Sequence, residues 1–146
     1  WLNAGFHRSF RALLAVTTLN YRVVVPAYCL MPDHFHIVAA GVSSDADQKL
    51  WAKASRRAIN RILAPLALQK QAYDHVLRPA ERGRDAFATL VHYVCTNPVR
   101  ADLAAHAHDW PFTGSCVPAL PALDPRDFDF PETWWAYWNS PALDRR

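Results

Sequence analysis

Two histidines separated by one apolar residue, His34-Phe35-His36, stand just after a turn and at the head of an apolar run. On a β-strand, residues i and i+2 share a face, so both imidazoles would project together while Phe35 and Ile37 turn into a core. Paired imidazoles on a rigid strand make half of a divalent-metal site. Further along, Tyr93 and Asn97 are four residues apart in a helical pattern and share its less apolar face with Thr89. Set beside the hairpin, this helix would add an amide oxygen and a phenol. Two nitrogens and one oxygen leave positions open for phosphate oxygen and water, which suits Mg²⁺ or Mn²⁺ more than structural zinc. A cation so held would act as a Lewis acid on a phosphoryl oxygen. The phenol would attack the phosphorus in line and end as a phosphotyrosyl intermediate. With an ordinary pKa of about 10, it needs a nearby metal or cation to do so. Taken one at a time, the same residues are an exposed imidazole pair, a half-buried helix tyrosine and a residue that ends a helix before Pro98.

The elements that must position these groups are legible in order. Residues 6–19 have apolar positions at helical spacing (Phe6, Phe10, Leu13, Leu14, Thr17), with Asn3 as N-cap and a break at Asn20-Tyr21. Arg22 to Leu30 reads as a β-branched and aromatic strand, and Pro26 inside it predicts an edge position or a bulge. Met31-Pro32-Asp33 makes the turn, and His34 to Ala40 is the return strand, closed by Gly41. A helix starts in Ser43–Asp47 and stops at Pro65, with Leu50, Ala54, Ala58, Ile62 and also Trp51 as its apolar stripe. Lys49, Lys53, Arg56, Arg57 and Arg61 populate the rest, with no acid after Asp47. Such a run is either a plain solvent-exposed face or a phosphate-contacting surface. Lys53, Arg56, Arg57, Arg61 and Arg78 are the candidate DNA contacts.

Gln71 to Pro79 suggests a short strand, with His75 either assisting the site or structural. A helix capped by Asp85 runs through Thr96, its core stripe Phe87, Leu90, Val91 and Val94. Residues 98–104 continue as a helical turn, His108–Ser115 reads as a loop, and Pro118–Pro131 as irregular chain. Glu132–Trp138 is a short aromatic helix, suited to packing more than to base stacking.

At 146 residues, 51% hydrophobic and 20% charged, the chain suits one globular domain with a real core. We divide it into a domain over 1–117 and a Pro/Trp-rich tail over 118–146. A net charge of +3 permits a nucleic-acid partner without requiring one. Cys29, Cys95 and Cys116 are odd in number and widely spaced, which argues against a disulfide framework and for a reducing, cytoplasmic setting. No run is long enough for a membrane span. The first residue is Trp1 instead of Met, so N-terminal structure is expected to be missing.

Met31-Pro32-Asp33-His34-Phe35-His36-Ile37-Val38 resembles the Met-Pro-x-His-x-His segment of HUH-type single-strand transposases. Tyr93-Val94-Cys95-Thr96-Asn97-Pro98-Val99-Arg100-Ala101 resembles the Tyr-x-x-x-Asn-Pro-Val-x-Ala segment of one branch, the REP-associated tyrosine transposases. Asp109-Trp110-Pro111-Phe112-Thr113-Gly114-Ser115 is similar to the Asp-Trp-Pro-x-Ser-Ser segment that follows, and Arg57–Arg61 to the basic helix between. The resemblance spans roughly residues 21–117, with the three motifs in the family's order and spacing.

The resemblance implies an α+β, ferredoxin-like antiparallel sheet with helices packed on one side. It implies His34, His36 and Asn97 as metal ligands for Mg²⁺ or Mn²⁺ and Tyr93 as catalytic nucleophile. The implied substrate is single-stranded or hairpin (REP-like) DNA, cut to a 5′-phosphotyrosine and a free 3′-OH and rejoined by the reverse step. A monomer or homodimer in the bacterial cytoplasm, associated with the nucleoid, goes with that expectation. Two departures stand out: no strand is visible before the first helix, and Asp102 occupies a position where Gly is common, a difference expected to touch only a helix C-cap. The alternative is a catalytically inactive DNA-hairpin binding protein derived from such a transposase. A histidine-triad phosphohydrolase would want a third alternating histidine, and position 38 is Val.

Overall fold

The computed structural model describes residues 1–70, 75–78 and 81–143. Helix α1 (Ala4–Tyr21) begins where the Asn3 side chain accepts the Phe6 N–H. Phe6, Phe10, Leu14 and Thr17 form its buried stripe as the spacing predicts, while Leu13 is only partly covered. The helix runs through the expected break at Asn20-Tyr21 and ends at Arg22, whose φ of 52° is left-handed and whose N–H returns to Thr18 O.

Strand β1 (Val23–Leu30) is the middle of a three-stranded antiparallel sheet of order β2-β1-β3, with β2 Phe35–Gly41 and β3 Thr113–Cys116. Pro26 therefore lies on the central strand. Of its two expected settings it takes the bulge: the register slips between Val24 and Ala27 toward β2, and between Val25 and Tyr28 toward β3. A residue without an N–H is tolerated where the ladder is already interrupted. The bulge also resets side-chain parity. Val23, Val25, Tyr28 and Leu30 face one core, and Val24, Ala27, Cys29 and Met31 face another.

The expectation of helices on one side is corrected here. Helix α1 and α2 (Gln48–Leu63) cover the first face, and α3 (Arg84–Cys95) and α5 (Phe130–Trp138) cover the second. Every residue of β1 is buried because both faces are roofed.

A second correction is β3, which begins inside the expected loop His108–Ser115 and ends at Cys116. Thr113-Gly114-Ser115-Cys116 has almost no apolar alternation, so its strand character comes from the open edge of β1, where Tyr28 meets Gly114 and Cys29 meets Thr113. Gly114 is required by close approach. A Cβ there would sit 2.7 Å from Tyr28 Oη, and that hydroxyl is itself tied to His7 Nε2 at 2.8 Å. Gly114→Ala should therefore cost about 1–3 kcal/mol in urea unfolding; a loss under about 0.5 kcal/mol would show that Tyr28 can yield.

His7 carries a pH prediction. Burial, with Arg11 and Arg126 adding to it, holds its pKa below the ordinary 6.5. The Tyr28 phenol is pushed by burial to about 12 and stays a donor to the neutral ring. A depressed folded pKa means the unfolded chain binds more protons. Stability from this pair is thus complete above about pH 6.5 and is lost as pH falls through the lowered value. His7→Phe should flatten the unfolding midpoint against pH below about 6.5.

Helix α2 starts with the Asp47 carboxylate accepting Leu50 N–H at 2.8 Å. Its buried ridge is Trp51, Ser55, Ile59 and Leu63. Of the expected stripe, Trp51 is buried, while the row from Leu50 to Ile62 lies one residue over and Leu50 is 48% exposed. The indole of Trp51 brings the larger apolar area and decides the rotation.

Helix α3 opens at Gly83, so Asp85 lies in its first turn instead of capping it. Phe87, Val91, Val94 and Cys95 are buried, with Leu90 packed at the margin. A four-residue helix α4 (Asn97–Arg100) follows at once. Asp102 sits at φ 55°, a left-handed conformation that Asp tolerates better than most residues and Gly best of all. A 3₁₀ turn (Ala107–Asp109) leads into β3. The strand expected over 71–79 lies largely outside the described residues, and 75–78 is irregular. In the tail, Trp134 is buried in the core with Phe87, so packing is its role.

Candidate active site

Strand β2 lies at one edge of the sheet. Its Phe35, Ile37 and Ala39 point toward α1 and α2, while Val38 and Ala40 point toward α3. His36 shares the second face. Its ring meets the Tyr93 ring edge-on, with centroids 6.3 Å apart and planes at 86°. His34 Nε2 and His36 Nε2 converge to 3.0 Å, as the i, i+2 spacing predicts. On the other side of its ring, His34 Nδ1 lies 2.7 Å from Asp33 Oδ1. This hydrogen bond holds the Asp33 carboxyl below the usual carboxylate range. With Nδ1 engaged by Asp33, it is the Nε2 of His34 that is turned to His36. His36 is kept toward its neutral form by burial first, then by the charges of His34 and Arg100.

The spacing of the two Nε2 atoms, within hydrogen-bond distance of each other, also matches that of two ligands of one cation. Donors about 2.0–2.1 Å from an octahedral ion, at right angles to one another, stand about 3 Å apart. The observed separation of the two Nε2 atoms is 3.0 Å. Among the described residues no group of three His, Cys, Asp or Glu side chains is arranged to hold a metal. A further protein donor would have to be of another type, such as an amide oxygen.

Tyr93 is 46% exposed on α3 and offers its phenol to solvent. Asn97, one turn on, donates its Nδ2 to the Tyr93 and Val94 carbonyls at 2.9 and 3.3 Å, so the amide oxygen is the end left to accept. The structure thus brings His34, His36 and Tyr93 together and ties Asn97 to the backbone of Tyr93.

The basic candidates stand elsewhere. Helix α2 packs on the opposite face of the sheet from α3. Lys53, Arg57 and Arg61 are exposed on it, and Arg56 donates to Gln69 O. Arg78 is exposed in the irregular segment, its N–H given to Glu81 Oε2. His75 pairs with the same Glu81 at 3.1 Å and is occupied locally.

Two neighbours of the site escape the sequence reading. Asp33 orients His34, and its signal was adjacency to a ligand-type histidine. Arg100 lies with its Cζ 4.5 Å from the centroid of the Tyr93 ring. The helical series Tyr93, Asn97, Arg100 (i, i+4, i+7) was the signal available for it.

What the structure defines is an α+β chain with a three-stranded antiparallel sheet and an imidazole–phenol cluster at one sheet edge. Comparisons with protein-family models, with curated proteins and with solved structures found no match to this chain. Among the described residues no helix is long and apolar enough to cross a membrane.

Proposed function

We propose that this chain is a metal-dependent single-strand DNA endonuclease and strand transferase that works on hairpin DNA through a 5′-phosphotyrosine at Tyr93. The observation that carries the reading is the meeting of His36 with Tyr93 across two elements far apart in sequence, beside two converging Nε2 atoms. The motif resemblance to REP-associated tyrosine transposases, carried by the same residues, supports it.

In this reading His34 and His36 hold Mg²⁺ or Mn²⁺, with the Asn97 amide oxygen as third donor. The cation supplies Lewis acidity at a phosphoryl oxygen when bound. Asp33 fixes the tautomer and orientation of His34. Tyr93 Oη attacks the phosphorus, O3′ leaves, and the free 3′-OH can later reverse the step. A bacterial cytoplasmic, nucleoid-associated setting belongs to the same reading.

The test is a denaturing gel of the protein mixed with 5′- and 3′-labelled hairpin DNA and Mn²⁺, with and without chelator. A chelator-sensitive covalent adduct on the strand 3′ of the nick is the expected result. Binding without any adduct across a panel of hairpins would replace the enzyme by an inactive hairpin-binding protein.

The basic residues of α2 give a further expectation. Lys53, Arg57 and Arg61 face solvent, so replacing Arg57 and Arg61 by Gln should reduce the slope of log K against log salt by about one per lost phosphate contact. An unchanged slope removes α2 from the interface.

A further inference from the structure

Arg100 closes α4 seven residues after Tyr93, and its guanidinium lies over the phenol ring at 4.5 Å. Both side chains are open to solvent. Among the described residues no carboxylate forms an ion pair with Arg100. A cation at a helix C-terminus is favourable in its own right, but that effect asks for neither a ring nor a guanidinium. With Cζ 4.5 Å from the ring centroid, the guanidinium meets the phenol through the π-face, and its N–H donors have no carboxylate partner among the described residues. Such a fork, held above a phenol, is matched to a phosphate carried by the phenol oxygen, because planar bidentate donors suit phosphate oxygens.

We infer that Arg100 is the phosphate-binding residue of the Tyr93 site, gripping the non-bridging oxygens of the phosphate that Tyr93 attacks. The inference rests on the function proposed above and adds the side chain that meets the charge. In the step, the Tyr93 Oη–P bond forms and the P–O3′ bond breaks. The electron pair leaves with O3′, which takes a proton from water, and the phenolic proton passes to water. One phosphodiester becomes another, so net charge is unchanged. Arg100 acts on the charge gathered on the non-bridging oxygens as the bonds exchange.

The test has two arms. In the first, adduct formation is timed at saturating hairpin DNA with Mn²⁺ for the natural protein, Arg100→Lys and Arg100→Gln. Thermal melts confirm that these exposed substitutions leave the fold intact. Arg100→Gln should slow the adduct ~10²-fold or more, with Arg100→Lys in between because it keeps charge and loses the fork. An unchanged rate in Arg100→Gln overturns the inference.

The second arm uses Tyr93→Phe, which cannot react, and compares binding of single strands ending in a 5′-phosphate or a 5′-hydroxyl. The phosphate end should bind about tenfold tighter, and adding Arg100→Gln should erase the difference. A merely structural arginine would not move this discrimination. If the natural protein forms no adduct, this arm still decides: a preference that Arg100→Gln erases upholds Arg100 while the nuclease reading fails. No preference, or one that survives Arg100→Gln, overturns the inference.

Discussion

Tyr93→Phe is expected to abolish the covalent DNA adduct while leaving hairpin binding and thermal stability unchanged. The substitution is unusually clean here because the ring makes the contacts and the hydroxyl makes none of them. Phenylalanine keeps the edge contact with His36 and the face under Arg100, since both interactions belong to the π-system. At 46% exposure, the lost hydroxyl strands no buried partner, so stability should move by less than about 0.5 kcal/mol. Removing a nucleophile removes the covalent path altogether, a loss on the order of 10⁴-fold or more. The adduct gel and a binding titration on the same preparation read both halves. An adduct that persists in Tyr93→Phe would move the nucleophile to another residue and separate the histidine pair from Tyr93 chemically.

The largest expected effect on stability is Trp134→Ala. Trp134 is 2% exposed on α5. Its indole stacks on Phe87 of α3 with centroids 5.4 Å apart and planes at 17°, and on Trp138 at 5.4 Å and 24°. It belongs to the core formed by β1, Val38 and α3, and an Arg84–Glu132 ion pair joins the same two helices at the surface. Truncation leaves a cavity the size of an indole beneath the helix that carries Tyr93, and should cost about 3–5 kcal/mol. That is about a fifth or more of the stability of an ordinary domain, with a fall in melting temperature on the order of 10 °C. Trp134→Phe should recover much of it, because a ring still fills the stack. A loss below about 1 kcal/mol in urea unfolding would mean that the tail from Pro118 onward only rests on the domain. The adduct assay on Trp134→Ala below its midpoint then reports whether the tail also holds α3 in place.

The sequence by itself determined the local half of this protein. Asn3 announces the first helix start, and Ser43–Asp47 the second with several possible caps, of which the structure uses Asp47, because a side-chain oxygen can take an orphan N–H there. The histidine pair was legible because the strand period is two, and Asn97 beside Tyr93 because the helix repeat is close to four.

Everything that depended on a partner far along the chain was decided by the tertiary structure. Thr113–Cys116 is a strand only because β1 offers it an edge. Pro26 is tolerated in mid-sheet only because the register slips on both sides of it, and that slip deals the residues of β1 to two cores instead of one. The rotation of α2 onto Trp51 was settled by what the indole finds to bury against. Arg100 was only half legible: the helical spacing puts it on the side of Tyr93, but only the packed structure sets its guanidinium above the ring. Periodicity is a property of the backbone and can be read locally. Which face is covered, and what lies across it, is set by burial between segments that the sequence keeps apart.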